Sequence, residues 1–111
     1  MTLEEASAGF AACGSEARLS VLLLLVRAGA TGLTVGDIQA HTAIPASTLA
    51  HHLRTLHEAG LISQQREGRT IVTRAAYQPL EELAAYLMNE CCSGVDAHTA
   101  DTRATGTERA A

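Results

Sequence analysis

Six consecutive apolar residues, Val21 to Val26, are the strongest constraint in this sequence. With Leu19 they make the stretch 16–28 apolar nearly all round when it is wound as a helix, so it predicts the central buried element of a domain. The run is far too short to cross a bilayer, which takes about 20 apolar residues. The chain has 111 residues, 47% of them hydrophobic, enough for one domain and no more. A domain this small leaves much of its surface exposed, and pairing with a second copy would help to bury it.

Around that helix the hydrophobic period changes in a definite order. Residues 3–13 read as a short helix with apolar Leu3, Ala6, Phe10 and Cys13, ended by Gly14, and Ser15 is a cap for the next helix. Thr34 and Asp37 form a capping-box variant ahead of a helix that runs to about Thr42 and buries Val35 and Ile38. After a four-residue break at Pro45, a second helix sets Leu49, Leu53 and Leu56 inward at i, i+4, i+7 and stops at Gly60. Residues 61–66 and the β-branched Thr70-Ile71-Val72-Thr73 then read as a hairpin turned by Glu67-Gly68-Arg69. A last helix after Pro79 places Leu80, Leu83, Ala84 and Leu87 on one face and ends near Cys91 to Gly94. The expected fold is mainly α with a β-hairpin, a winged helix-turn-helix over residues 1–94. Residues 95–111, small, polar and rich in Thr and Ala, are expected to be a disordered tail.

Helix, break, helix and basic hairpin is the order of a DNA-binding unit. The outward face of the second helix carries Ser47, Thr48, Ala50, His51, Arg54 and Thr55, short or polar side chains able to approach base edges and phosphates. On the hairpin, Arg66 and Arg69 are candidate DNA contacts, Arg69 at the tip. The net charge of −4 argues weakly against nucleic acid, but charge is unevenly placed. Residues 45–75 carry Arg54, Arg66, Arg69 and Arg74 against Glu58 and Glu67, which is +2 and leaves −6 for the rest.

The acidic start Met1-Thr2-Leu3-Glu4-Glu5 is unlike a secretory signal, and three cysteines are an odd set for a disulfide scaffold. A cytoplasmic protein with reduced thiols and no membrane contact is expected. Cys91-Cys92 follows the last helix and could place two soft thiolates on one thiophilic atom. A small thiol enzyme would want an activated Cys at a helix start or a Cys-x-x-Cys, and the pair is neither, so no enzyme is expected. A dimerisation module without DNA binding is the remaining alternative.

The segment Ser47-Thr48-Leu49-Ala50-His51-His52-Leu53-Arg54-Thr55-Leu56-His57-Glu58-Ala59-Gly60-Leu61-Ile62 resembles the recognition helix of the ArsR/SmtB winged-helix repressors. Ser15-Glu16-Ala17-Arg18-Leu19 resembles the start of that family's second helix, and Arg66-Glu67-Gly68-Arg69 its wing. The resemblance covers residues 10–92. It implies a homodimer joined through its first and last helices, bound to double-stranded operator DNA at an imperfect inverted repeat. Ala50 stands where the family usually has Ser, and His52 at its near-constant His, read here as a packing or phosphate residue.

Two of the family's metal sites are missing: residues 35–41 lack a Cys-x-Cys, and the last helix lacks the Asp/His pairs. Residues 86–94, however, resemble arsenical repressors with a Cys pair at this point. That implies trivalent arsenic (arsenite or methylarsenite) or antimony as inducer at Cys91 and Cys92, with no cofactor required. Thiol oxidation or a soft metal ion is the alternative input. Cys13 is expected to be a core residue, with a third-ligand role as the other reading.

Overall fold

A computed structural model describes residues 1–90 and Gly94. Its elements run α1 (Leu3–Ala12), α2 (Glu16–Ala28), a 3-10 turn (Gly29–Thr31), β1 (Leu33–Thr34), α3 (Val35–Thr42), α4 (Ala46–Glu58), β2 (Ile62–Glu67), β3 (Thr70–Ala75) and α5 (Tyr77–Met88). The expected tail and Cys91 and Cys92 lie outside the described residues.

Three helices begin on hydroxyl caps, as their sequences require. Thr34 Oγ1 accepts the Asp37 N–H and the Asp37 carboxylate accepts the Thr34 N–H, both at 3.1 Å, completing the expected capping box. These bonds hold the Asp37 carboxyl below the usual carboxylate range, the backbone bond from Thr34 contributing most. Thr2 and Glu5 repeat the device at α1, and Ser15 Oγ caps α2 by accepting from Arg18 N at 3.3 Å.

The core forms where α2 presents Val21, Leu22 and Leu25 to Ile38 of α3, to Leu49, Leu53 and Leu56 of α4, and to Leu61, Ile62 and Ala75 at the foot of the hairpin. Central though it is, α2 is not covered on every side within one chain: Leu19 and Leu23 are 37% and 41% exposed. The apolar residues of the outer helices divide between the core and the surface of the single chain. On α1 the buried residues are Ala6, Gly9 and Ala12, while Leu3 and Phe10 are exposed. The reason is close approach: a Cβ on Gly9 would lie 3.0 Å from both methyls of Leu83 on α5, so only small residues fit there. On α5, Leu83 is buried and Leu80 half-buried, but Ala84, Leu87 and Met88 face outward.

β2 and β3 pair antiparallel from Ile62↔Ala75 to Glu67↔Thr70, leaving a two-residue loop, Gly68-Arg69. Gly68 has φ +67° and Arg69 does not share the positive sign, the pattern of a II′ turn that suits the twist of a hairpin. A third strand, β1, was not expected. It pairs Leu33 with Thr73 and Thr34 with Val72, giving a sheet of order β1-β3-β2 and tying the wing to the start of α3. α5 begins at Tyr77, ahead of Pro79, which sits in the first turn where no N–H is needed. The Tyr77 hydroxyl donates to Val26 O at 2.8 Å and pins α5 to the end of α2. The result is a winged helix-turn-helix.

Two backbone positions test this architecture. Gly32 has φ +70°, and a Cβ there would meet Val72 Cγ1 at 2.6 Å and Thr73 O at 2.9 Å. Gly32→Ala should lower the unfolding free energy by about 2–4 kcal/mol, read as a drop in urea midpoint. Ala43, in the α3–α4 turn, has φ 58° and ψ 20°. Ala43→Gly should raise stability by about 0.5 kcal/mol, because relief of left-handed strain exceeds the added backbone entropy of glycine.

Candidate nucleic-acid interface

α4 is amphipathic because three leucines claim one side of it. With Leu49 and Leu56 fully buried and Leu53 4% exposed, the helix cannot rotate without losing core contacts. Its other side is therefore fixed outward. Ser47, Thr48, Ala50, His51 and Arg54 are all exposed, as expected for a surface that reads DNA. Thr55 differs. It is half-buried and its hydroxyl donates to His51 O at 3.1 Å, so that group already has a partner. The break before α4 is three residues, Ala43 to Pro45, rather than four. Pro45 supplies no side-chain cap, so the first-turn N–H groups beside Ser47 and Thr48 keep no side-chain acceptor and the positive end of the helix is open.

The hairpin arginines separate into two kinds. Arg66 and Arg69 are exposed, and their side chains make no hydrogen bond or ion pair among the described residues. Arg74 does the opposite: Nε donates to Ala30 O at 2.7 Å, Nη2 to Glu67 Oε2 at 2.9 Å and Nη1 to Gln65 Oε1 at 3.5 Å. It braces the wing against the 3-10 turn and neutralises Glu67 near the tip. Arg54 has no partner among the described residues either. Unpaired guanidinium groups thus remain at α4 and at the wing. A groove of about 340 Å³ joins these elements, lined by Val35, Ala50, Leu53, Arg54, His57 and Gln64. His57 and Gln64 were not among the expected contacts. The register that sets Gln64 opposite Thr73 was the signal that could have found Gln64.

On the flank of α4 away from the wing, Arg18 joins three helices. Its Nε donates to Ala12 O at 2.6 Å and Nη2 to Ala11 O at 3.2 Å, closing the end of α1 from α2. Its charge reaches His52 on α4, whose Nδ1 is buried without a hydrogen-bond partner. Burial, then Arg18, then His51 push the His52 pKa down. Cys13, half-buried at the end of α1, has its thiol pushed up by burial, with Arg18 opposing. That matches a core thiol better than an activated one. Among the described residues no three His, Cys, Asp or Glu side chains form a metal-binding group. No single described helix is long and apolar enough to cross a membrane.

This geometry has relatives. Residues 14–65 match the model of a helix-turn-helix domain family. Over 89 residues the chain is 29% identical to the HTH-type transcriptional regulator YgaV of Escherichia coli K12, covering 80% of this chain and 88% of that protein. Among solved structures, an ArsR-like transcriptional regulator from Rhodococcus sp. RHA1 superposes with a TM-score of 0.72 at 26% identity, covering 80% of this chain and 81% of the other. A protein described as a possible transcriptional regulator for arsenical resistance gives 0.60 at 28% identity, over 79% of this chain and 84% of its own. The fold is a winged helix-turn-helix, and the outward side of α4 with the wing is its candidate DNA-binding face. More particularly, the chain has the ArsR-type winged-helix fold and is similar to helix-turn-helix transcriptional regulators. The first two of these relatives are described as transcriptional regulators.

Two measurements follow. Arg69→Ala should weaken binding to any duplex and reduce the slope of log affinity against log salt by about one, whereas Arg74→Ala should cost about 1–2 kcal/mol of stability through the lost brace. Because the His52 pKa lies below the ordinary value of about 6.5, the unfolded chain takes up that proton first as pH falls. The contribution of His52 to stability is present above pH 6.5 and lost below it. The urea midpoint should drop between pH 7.5 and 5.5, and His52→Gln should flatten that drop.

Proposed function

We propose that the protein is a dimeric, cytoplasmic transcriptional repressor that binds an imperfect inverted repeat and is released when a trivalent arsenical or antimonial binds Cys91 and Cys92. The observation that carries the DNA-binding half is the outward face of α4 standing beside arginines of helix and wing that have no partner among the described residues. Dimerisation is supported by α1 and α5, which pack on each other yet leave Leu3, Phe10, Leu87 and Met88 between 38% and 72% exposed. A second copy would cover them and set two α4 helices about one DNA turn apart, near 34 Å.

The inducer half rests on the sequence and on one similarity. Cys91 and Cys92 come three and four residues after Met88, the last residue of α5, and a 28% identical structure is described as a possible regulator for arsenical resistance. Each thiol exchanges with an As–OH to form As–S and water, so methylarsenite, with two exchangeable positions, matches two cysteines. An inducer acts through its differential affinity for the two states, here by shifting a helix that belongs to the proposed dimer interface.

Sedimentation at micromolar concentration should show a dimer, and a duplex selected from a random pool should contain an inverted repeat. Methylarsenite should release that duplex. Cys91→Ser and Cys92→Ser should each retain binding and lose release. Cys13→Ser should keep the full response and lose only modest stability. A monomer would overturn the dimer reading. Release of either Cys91→Ser or Cys92→Ser at the wild-type inducer concentration would overturn the arsenical site, and release by peroxide but not by arsenicals would replace it with an oxidation switch.

A further inference from the structure

Between α4 and the wing, the groove of about 340 Å³ is lined by apolar Val35, Ala50 and Leu53 and by polar Arg54, His57 and Gln64. We infer that this groove seats the sugar–phosphate strand of bound DNA, with His57 and Gln64 as backbone-contact residues beside Arg54. This rests on the DNA-binding reading above and deepens it.

The placement follows from the shape of the duplex. If α4 lies in the major groove and the wing tip reaches the adjacent minor groove, one sugar–phosphate strand separates those grooves and must cross between helix and wing. The lining matches an amphipathic backbone. Deoxyribose offers C–H surface to Val35, Ala50 and Leu53, and the phosphate offers anionic oxygens to the guanidinium, imidazole and amide. Ala50 contributes here to the apolar lining, which gives its methyl a use where a hydroxyl would not be needed. Gln64 is held in place: its Nε2 donates to Thr73 Oγ1 at 3.2 Å, and Thr73 is fully buried. The second amide hydrogen stays available to an acceptor in the groove. Of the acidic groups nearby, Glu67 is paired with Arg74 at 2.9 Å, and Glu58 stands one turn after Arg54 on the exposed side of α4, outside the lining.

Backbone contacts carry no sequence information, so the test uses two duplexes: a random-sequence 30-bp duplex at low salt and a duplex selected from a pool. His57→Glu and Gln64→Glu should each weaken binding to both at least tenfold and by the same factor, leaving their ratio unchanged. His57→Arg should steepen the salt slope by about one. Gln78→Glu, the same charge change on the exposed side of α5, should alter affinity less than twofold. Thermal melting of each variant separates a lost contact from a lost fold, and His57→Arg reads a gain that no unfolded protein can give. Wild-type affinity in both glutamate variants would overturn the groove assignment while leaving the DNA-binding reading intact. So would a loss confined to the selected duplex, which would mean that these residues read bases. A wild-type protein that binds neither duplex would overturn both readings.

Discussion

The structure depends on how α4 is seated. Leu49, Leu53 and Leu56 enter one core with Val21, Leu22 and Leu25 of α2. Fully burying a leucine is worth about 1.5–3 kcal/mol, so three of them fix the rotation of α4 far more firmly than any polar contact on its outer side. Everything that concerns DNA is set by that rotation. It turns Ser47, His51 and Arg54 outward, places Ala50 and His57 on the flank facing the wing, and puts His52 on the flank facing α1 and α2. The wing is positioned from the same core, since Leu61, Ile62 and Ala75 at its foot are buried in it.

That seat also gives a route between the two ends of the molecule. Arg18 closes the last turn of α1 by binding the carbonyls of Ala11 and Ala12, and its charge acts on His52 of α4. α1 in turn meets α5 across the Gly9–Leu83 contact, too tight for any Cβ without displacement. A movement of α5 would therefore press on α1, and Arg18 ties the end of α1 to α2, on which α4 packs. Cys13 stands at the same junction, half-buried at the end of α1. Interfaces this close do not deform smoothly, so they pass on discrete shifts and not gradual ones.

The parts legible in the sequence were those with a strict local rule. The i, i+4, i+7 leucines, the Thr34–Asp37 box, the Ser15 cap and the glycine at the hairpin turn each have one physical explanation, and the structure carries all of them. Tertiary contacts decided the rest. Nothing local announces β1, because two residues gain strand geometry only from pairing with Val72 and Thr73. Nothing local marks Gly9 as the point where α1 meets Leu83 of α5, because that contact joins residues far apart in sequence. Arg74 looked like a member of the basic set and proved to be a brace, since Ala30 and Glu67 are distant or unmarked in sequence. Apart from half-buried Thr55, the residues of α4 were identified correctly as outward because a helix face is a local property. The groove that joins them to Gln64 was not, because it needs the register of a hairpin against a helix.

A net charge of −4 is compatible with a DNA-binding face because field and sum are different quantities. The wing keeps Arg66 and Arg69 free while Arg74 is consumed in neutralising Glu67, so one acidic group near the tip is cancelled at the expense of one cation. The electrostatic benefit of Arg74 is thus indirect: it removes a repulsion and holds the sheet, and the remaining arginines face outward unopposed. The acidic excess lies elsewhere, with Glu4 and Glu5 in the first turn of α1 and Glu81, Glu82 and Glu90 on or just beyond α5. Those are the helices whose apolar residues stay exposed. The molecule therefore separates its two surfaces by chemistry: a neutral-to-basic, largely hydrophilic face on α4 and the wing, and an acidic-rimmed apolar one on α1 and α5. A surface of the second kind gains little from a polyanion and much from burial against another apolar face, which is why one small chain can hold both without either competing for the other's partner.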